Sequence, residues 1–196
     1  KGKTLTARAN VRRQDARDAA MSSVASSCAA DTALTAFAAW LEGAGGWLAP
    51  SLQIYCDKSS GRGVVVRDGA TLNAGDVAVR LPLSLLITES TARAVPKLGA
   101  AGLSSTNLIA AFLLEENTRW RPYVDALPRQ IETTLRWTEA ELAELQASDL
   151  RFHSLTRQRA VARHHASLKS LGVDLDEFGW ALSVVWSRSH TLLLPD

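Results

Sequence analysis

Several groups of residues in this chain have types or spacings that invite chemistry. Ser59-Ser60-Gly61-Arg62-Gly63 sets two glycines around a guanidinium, and glycine lets a backbone lie close against a ligand or adopt positive φ. The segment matches neither the Walker pattern nor the dinucleotide fingerprint, so no nucleotide phosphate is indicated and a plain hairpin loop is the simpler account. Arg188, in Ser187-Arg188-Ser189, follows an apolar run from Trp180 to Trp186 and precedes Leu192-Leu193-Leu194. A guanidinium there can sit at the negative pole of a helix, which spacing alone favours, or grip a ligand carboxylate through paired N–H bonds. The 4 histidines, His153, His164, His165 and His190, include no i, i+4 pair of the kind a zinc-hydrolase helix uses. His164 and His165 point about 100° apart on a helix and read as solvent-exposed, so no metal site is expected. Glu139, Glu141 and Glu144 read as a solvated helix face. There is no Gly-x-Ser-x-Gly elbow and no recognisable cysteine–histidine arrangement, so no general acid, base or nucleophile stands out.

The elements that must hold these residues follow from periodicity and punctuation. Leu34, Phe37, Ala38 and Leu41 mark a helix from Asp31, capped by Asp31 or Thr32 and ended by Gly43, Gly45 and Gly46. The pattern then changes to short apolar runs at Leu52–Cys56, Gly63–Val66, Val77–Leu81 and Leu83–Ile87, with turns at Asp68-Gly69 and Ala74-Gly75-Asp76. These predict antiparallel strands, because the connections are too short for parallel crossovers. A buried helix is predicted after Ser104 or Ser105 through Leu108, Ile109, Phe112 and Leu113. A second opens with the capping box Thr138 and Glu141, and a third spans roughly Leu155 to Leu171. The fourth follows Asp174 and carries Phe178, Leu182, Val185 and Trp186 on one face.

With 196 residues, 46% hydrophobic and 21% charged, the chain is long enough to bury a core without disulfides or metals. No apolar stretch approaches the roughly 18 to 20 residues of a membrane span, so no membrane partner is expected. The net charge of +2 is concentrated at the start: Lys1, Lys3, Arg8, Arg12, Arg13 and Arg17 face only Asp15 and Asp18, and acids slightly outnumber bases beyond them. That leaves no basic stripe or Arg-rich helix for a phosphate backbone, and nucleic acid is not an expected partner. Cys28 and Cys56 form no CxxC pair and read as inert thiols of a reducing compartment. Residues 1–30, rich in Ala, Ser and Arg, read as a disordered tail or an organellar transit peptide.

The order of segments resembles the SET-domain protein methyltransferases, in the branch of the Rubisco large-subunit lysine methyltransferase and the actin histidine methyltransferase. Phe37-Ala38-Ala39-Trp40-Leu41 before Gly45-Gly46-Trp47 is similar to the family's leading helix, and Ser60-Gly61-Arg62-Gly63-Val64-Val65-Val66 to its first glycine motif. Residues 76–88, DVAVRLPLSLLIT, resemble the next strand and its Pro-centred turn. Phe112–Glu116, Trp120–Pro128 and Trp137–Gln146 resemble the helical insertion of this branch, and Trp180 through Ser189 the re-entry into the domain.

The resemblance implies an α+β fold in which small antiparallel sheets of the SET domain are interrupted by a helical insertion, the C-terminal part missing. Its divisions are a tail at 1–30, leading helix and first SET segment at 31–103, insertion at 104–174 and truncated re-entry at 175–196. It implies S-adenosylmethionine as cofactor, contacted by Ser60, Gly61 and Arg62 and gripped by Arg188, with a guanidinium matching the ligand carboxylate. His190 falls in the substrate pocket, where relatives tend to place an aromatic or amide residue, and it leaves lysine or histidine open as the acceptor, lysine being favoured. The family's Asn-His motif and catalytic tyrosine are expected downstream of Asp196, so neither Tyr55 nor Tyr123 inherits that role and no catalytic residue is named. A protein substrate, a monomer and a plastid location are expected, with cytosol or nucleus as alternatives. A non-catalytic, truncated SET-like binding module is the rival reading.

Overall fold

The computed structural model describes residues 32–57, 61–116 and 118–191. The tail or transit peptide, Cys28, Asp31, Ser60 and Leu192–Leu194 lie outside them. The chain divides into two compact units, one through Leu85 and one from Leu86 onward.

The first unit opens with α1 (Thr32–Gly43), which buries Leu34. Its end is set by Gly45 at φ +84°: the Gly46 N–H reaches back to Leu41 O at 2.8 Å and the Gly45 N–H to Glu42 O at 3.0 Å. This pair of bonds satisfies the last carbonyls of the helix and requires a left-handed residue that glycine supplies without strain. The chain then enters β1 (Trp47–Leu48), which pairs antiparallel with β4 (Val79–Arg80). Between them β2 (Leu52–Asp57) and β3 (Gly61–Val66) form a hairpin whose register runs from Leu52 opposite Val66 to Asp57 opposite Gly61.

Two of the expected strands change character. Val77–Leu81 contracts to the two residues of β4, and Leu83–Ile87 is not a strand: Leu83–Leu85 form a 3-10 turn, closed by the Leu85 N–H on Pro82 O at 2.9 Å. Pro82 has no N–H to give a ladder and fixes its own φ, which favours a turn over continued pairing.

The second unit is helical: α2 (Glu89–Arg93), α3 (Pro96–Gly99), α4 (Ser105–Leu113), α5 (Arg121–Ala126), α6 (Glu139–Glu144), α7 (Asp149–Ala166) and α8 (Leu175–Arg188). Its core is α4 against α8. Leu108, Ala110, Ala111, Phe112 and Leu113 are buried on α4, and Phe178, Trp180, Ala181, Leu182, Val184 and Val185 on α8. Phe112 meets Trp120 edge to face at 5.3 Å, and the Trp180 indole N–H donates to Pro128 O at 2.9 Å, satisfying the one polar atom of a buried ring.

The caps follow the sequence. Thr138 and Glu141 exchange both bonds of a capping box, Thr138 N–H to Glu141 Oε2 at 2.7 Å and Glu141 N–H to Thr138 Oγ1 at 3.3 Å. Asp174 accepts from the Asp176 and Glu177 amides at 2.8 and 3.2 Å. These bonds favour the ionised carboxylates and hold both Glu141 and Asp174 below their ordinary pKa.

The third predicted helix is longer and earlier than expected. It begins at Asp149 and ends at Ala166, and a separate 3-10 turn at Lys169–Leu171 closes on Gly172 at φ +74°. α7 is polar nearly all round, so periodicity gave no marker for its start. It also corrects the expectation of no Arg-rich helix: Arg151, Arg157, Arg159 and Arg163 share it with only Asp149 as acid. His165 is corrected as well. It is buried, its Nε2 is 2.7 Å from Val173 O and its ring lies 6.4 Å from that of Phe178, whereas His164 is exposed. Trp186, expected on the buried face of α8, is 42% exposed.

Candidate functional site

The glycine motif occupies the opening of β3. Gly61 pairs with Asp57 and Arg62 with Cys56, while Ser60 falls outside the described residues. Side chains of successive strand residues alternate, so Arg62, Val64 and Val66 are exposed while Gly63 and Val65 are half-buried. Gly63 faces Tyr55 across the hairpin, and a Cβ there would come within 2.7 Å of the Tyr55 ring. That glycine is therefore fixed by packing within the hairpin. β2 and β3 form a two-stranded sheet, so the outer edge of β3 is covered by no strand among the described residues.

Arg188 is the last residue of α8 and is exposed. Its Nη1 donates to Ser187 Oγ at 2.7 Å. It also acts on Tyr123, a half-buried phenol on α5: burial raises the Tyr123 pKa above its ordinary value, and the Arg188 charge opposes the rise by favouring phenolate. Tyr123 is therefore a neutral hydroxyl at physiological pH. His190 lies just past the helix end and is exposed. Gly61 and Arg62 thus share one strand in the first unit, and Arg188 and His190 share the end of one helix in the second.

Against the last turns of α8 is a cleft of about 150 Å³ lined by Thr133, Thr134, Leu135, Arg157, Ser183, Trp186 and Ser187. The loop forming one wall is pinned by Gln158, whose Nε2 lies 3.1, 3.2 and 2.9 Å from the carbonyls of Thr134, Leu135 and Trp137. The Arg157 guanidinium lies 5.3 Å from the Trp186 ring centroid. Sequence reasoning missed Tyr123 as a group under the influence of Arg188 and missed the cleft that Ser187 lines. Ser187 was in view only as the residue flanking the arginine, and its hydroxyl was the one local signal available.

Among the described residues no group of three His, Cys, Asp or Glu could hold a metal ion, and no helix is long and apolar enough to cross a membrane.

No protein-family profile matches the chain. It is 31% identical over 150 residues to the chloroplastic [fructose-bisphosphate aldolase]-lysine N-methyltransferase of Arabidopsis thaliana, covering 68% of this chain and 30% of that protein. It is 28% identical over 108 residues to the chloroplastic Rubisco large-subunit N-methyltransferase of Nicotiana tabacum, covering 47% of this chain and 22% of the relative. Among solved structures, the SET domain of Rubisco LSMT bound to lysine and AdoHcy superposes with a TM-score of 0.71 at 25% identity, over 81% of this chain and 40% of that one. Rubisco LSMT bound to AdoMet gives the same TM-score, over 41% of its chain. The chain thus spans less than a third of the curated relatives it matches. The glycine strand, the helical segment and the Ser-Arg-Ser helix end, read with these likenesses, identify the chain as a member of the SET-domain protein methyltransferases of the Rubisco LSMT-like branch.

Proposed function

We propose that this chain serves the S-adenosylmethionine-dependent transfer of a methyl group to a side-chain nitrogen of a protein, with lysine as acceptor. The observation that carries the reading is the likeness to Rubisco LSMT structures solved with AdoMet and with lysine and AdoHcy, at TM-scores of 0.71 over 81% of this chain. The residues present suit the cofactor. Arg188 offers an exposed guanidinium that matches a carboxylate, and Gly61 and Arg62 open a strand whose outer edge can offer main-chain groups to a ligand. In this reading Ser60, Gly61, Arg62 and Arg188 bind the cofactor, and His190 flanks the acceptor. Bound there, S-adenosylmethionine supplies a methyl group activated by its sulfonium.

The chain's contribution is then positional. A displacement of this type needs in-line alignment and a neutral amine, so orientation and exclusion of water supply most of the rate. Arg188 fixes one end of the donor, and Tyr123 stays protonated beside it. In the same reading residues 31–103 and 175–196 belong to the SET fold and 104–174 to its insertion. The relatives are chloroplastic and are named for fructose-bisphosphate aldolase and the Rubisco large subunit, which supports a plastid location and a plastid protein substrate.

The test is methyl transfer by the native protein, captured with an antibody against residues 104–190. It is incubated with tritiated S-adenosylmethionine and, separately, aldolase and the Rubisco large subunit. Label on a lysine of either protein is expected. S-adenosylmethionine binding with no label on either protein would contradict the reading and favour the binding module.

A further inference from the structure

The hydroxyls of α8 form a directed series that ends on Arg188. Ser187 Oγ lies 2.7 Å from Ser183 O and 3.2 Å from Val184 O. A serine hydroxyl has one proton and two lone pairs, so that proton is committed to the helix backbone one turn back. The lone pairs are left facing outward, and one of them accepts from Arg188 Nη1 at 2.7 Å. One turn earlier the arrangement repeats: Ser183 Oγ donates to Gly179 O at 2.9 Å. Its oxygen therefore accepts from the Thr133 hydroxyl at 3.3 Å, on the loop that Gln158 pins. Ser183 is 1% exposed, so the inner part of the series is fixed in the core, and only its last member reaches the exposed arginine.

We propose that Ser187 is a positioning residue for Arg188. By accepting one N–H of the guanidinium it selects a single rotamer at the helix end and leaves the remaining N–H groups to a ligand carboxylate. The inference rests on the proposed cofactor reading, because it takes that carboxylate to be the amino-acid tail of S-adenosylmethionine. An arginine free to rotate must be ordered by the ligand when it binds, and ordering a long side chain costs affinity; one already held by Ser187 does not carry that cost.

The test is calorimetric titration of the full chain with two probes. S-adenosylhomocysteine carries the amino-acid tail, and 5′-methylthioadenosine lacks it. Ser187→Ala is expected to weaken S-adenosylhomocysteine about fivefold to tenfold and to leave 5′-methylthioadenosine unchanged. Ser187→Thr, which keeps the oxygen, is expected to restore native affinity, and Ser187→Ala is expected to add no further loss in an Arg188→Ala background. If Ser187→Ala binds like the native chain while Arg188→Ala has lost affinity, the positioning role is overturned and the cofactor assignment stands. If Arg188→Ala itself binds S-adenosylhomocysteine as the native chain does, both are overturned. Equal weakening of both probes by Ser187→Ala would mark a structural role and overturn the proposal.

Discussion

The two units treat apolar surface differently. In the second, α4 and α8 bury their large apolar side chains apart from Leu175 and Trp186 near the ends of α8, with Phe178 and Leu182 at 0% and 1% exposure. In the first, Val64, Val66, Val77, Val79, Leu81, Leu83 and Trp47 are all exposed to at least 39%, and its sheets have two strands each. Hairpins of that size are marginal by themselves. The helical unit is thus held by its own core, whereas the glycine strand stands on a hairpin that buries little beyond Leu52. The outer edge of β3 is open for the same reason that the hairpin is thinly supported: no further strand among the described residues covers it.

The largest expected effect tests that contrast. Phe178→Ala should destabilise the second unit by about 3 to 5 kcal/mol, read as a fall in the urea midpoint followed by tryptophan fluorescence. Leu52→Ala in the hairpin should sit at the low end of the core-truncation range, about 2 kcal/mol. Equal losses would erase the distinction. Gly63→Val should cost about 1 to 3 kcal/mol through collision with Tyr55, and the cost should fall in a Tyr55→Ala background, as a double-mutant cycle would report. Thr138→Ala removes one side of the capping box and should cost about 1 kcal/mol, measured by thermal unfolding.

The smallest effect is acid sensitivity. Glu141 and Asp174 have folded-state pKa values below those of the unfolded chain, so their contribution is complete above the ordinary carboxylate range near pH 4. It is lost as pH falls through the lowered folded values. The melting temperature should therefore decline below about pH 4, and the decline should shrink slightly in Thr138→Ala, which removes the hydroxyl bond to Glu141 and leaves the larger one from the residue-138 N–H.

Much of the second unit was legible because its signals are local. The Thr138–Glu141 box and the Asp174 cap are fixed by residues three positions apart, and α4 and α8 are long enough to display a face. The short helices at Glu89–Arg93, Pro96–Gly99 and Arg121–Ala126 are not, because one turn shows no period. His165 was misread because its burial depends on Val173 and Phe178, which return to it only through the turn at Gly172. Leu83–Ile87 was misread because apolar content outweighed the missing N–H of Pro82. At the candidate site, Gly61, Arg62 and Arg188 are proposed from the order of motifs. Tyr123 is not, since only the approach of α5 to the end of α8 brings its hydroxyl under the influence of Arg188.

The proposed reading makes Arg188 the grip on the carboxylate of S-adenosylmethionine. Amide and arginine side-chain NMR of the full chain titrated with S-adenosylhomocysteine tests it most directly. Saturable shifts at Ser187 and Arg188 on α8 are expected. Shifts confined to other residues, or none at saturating ligand, would contradict it.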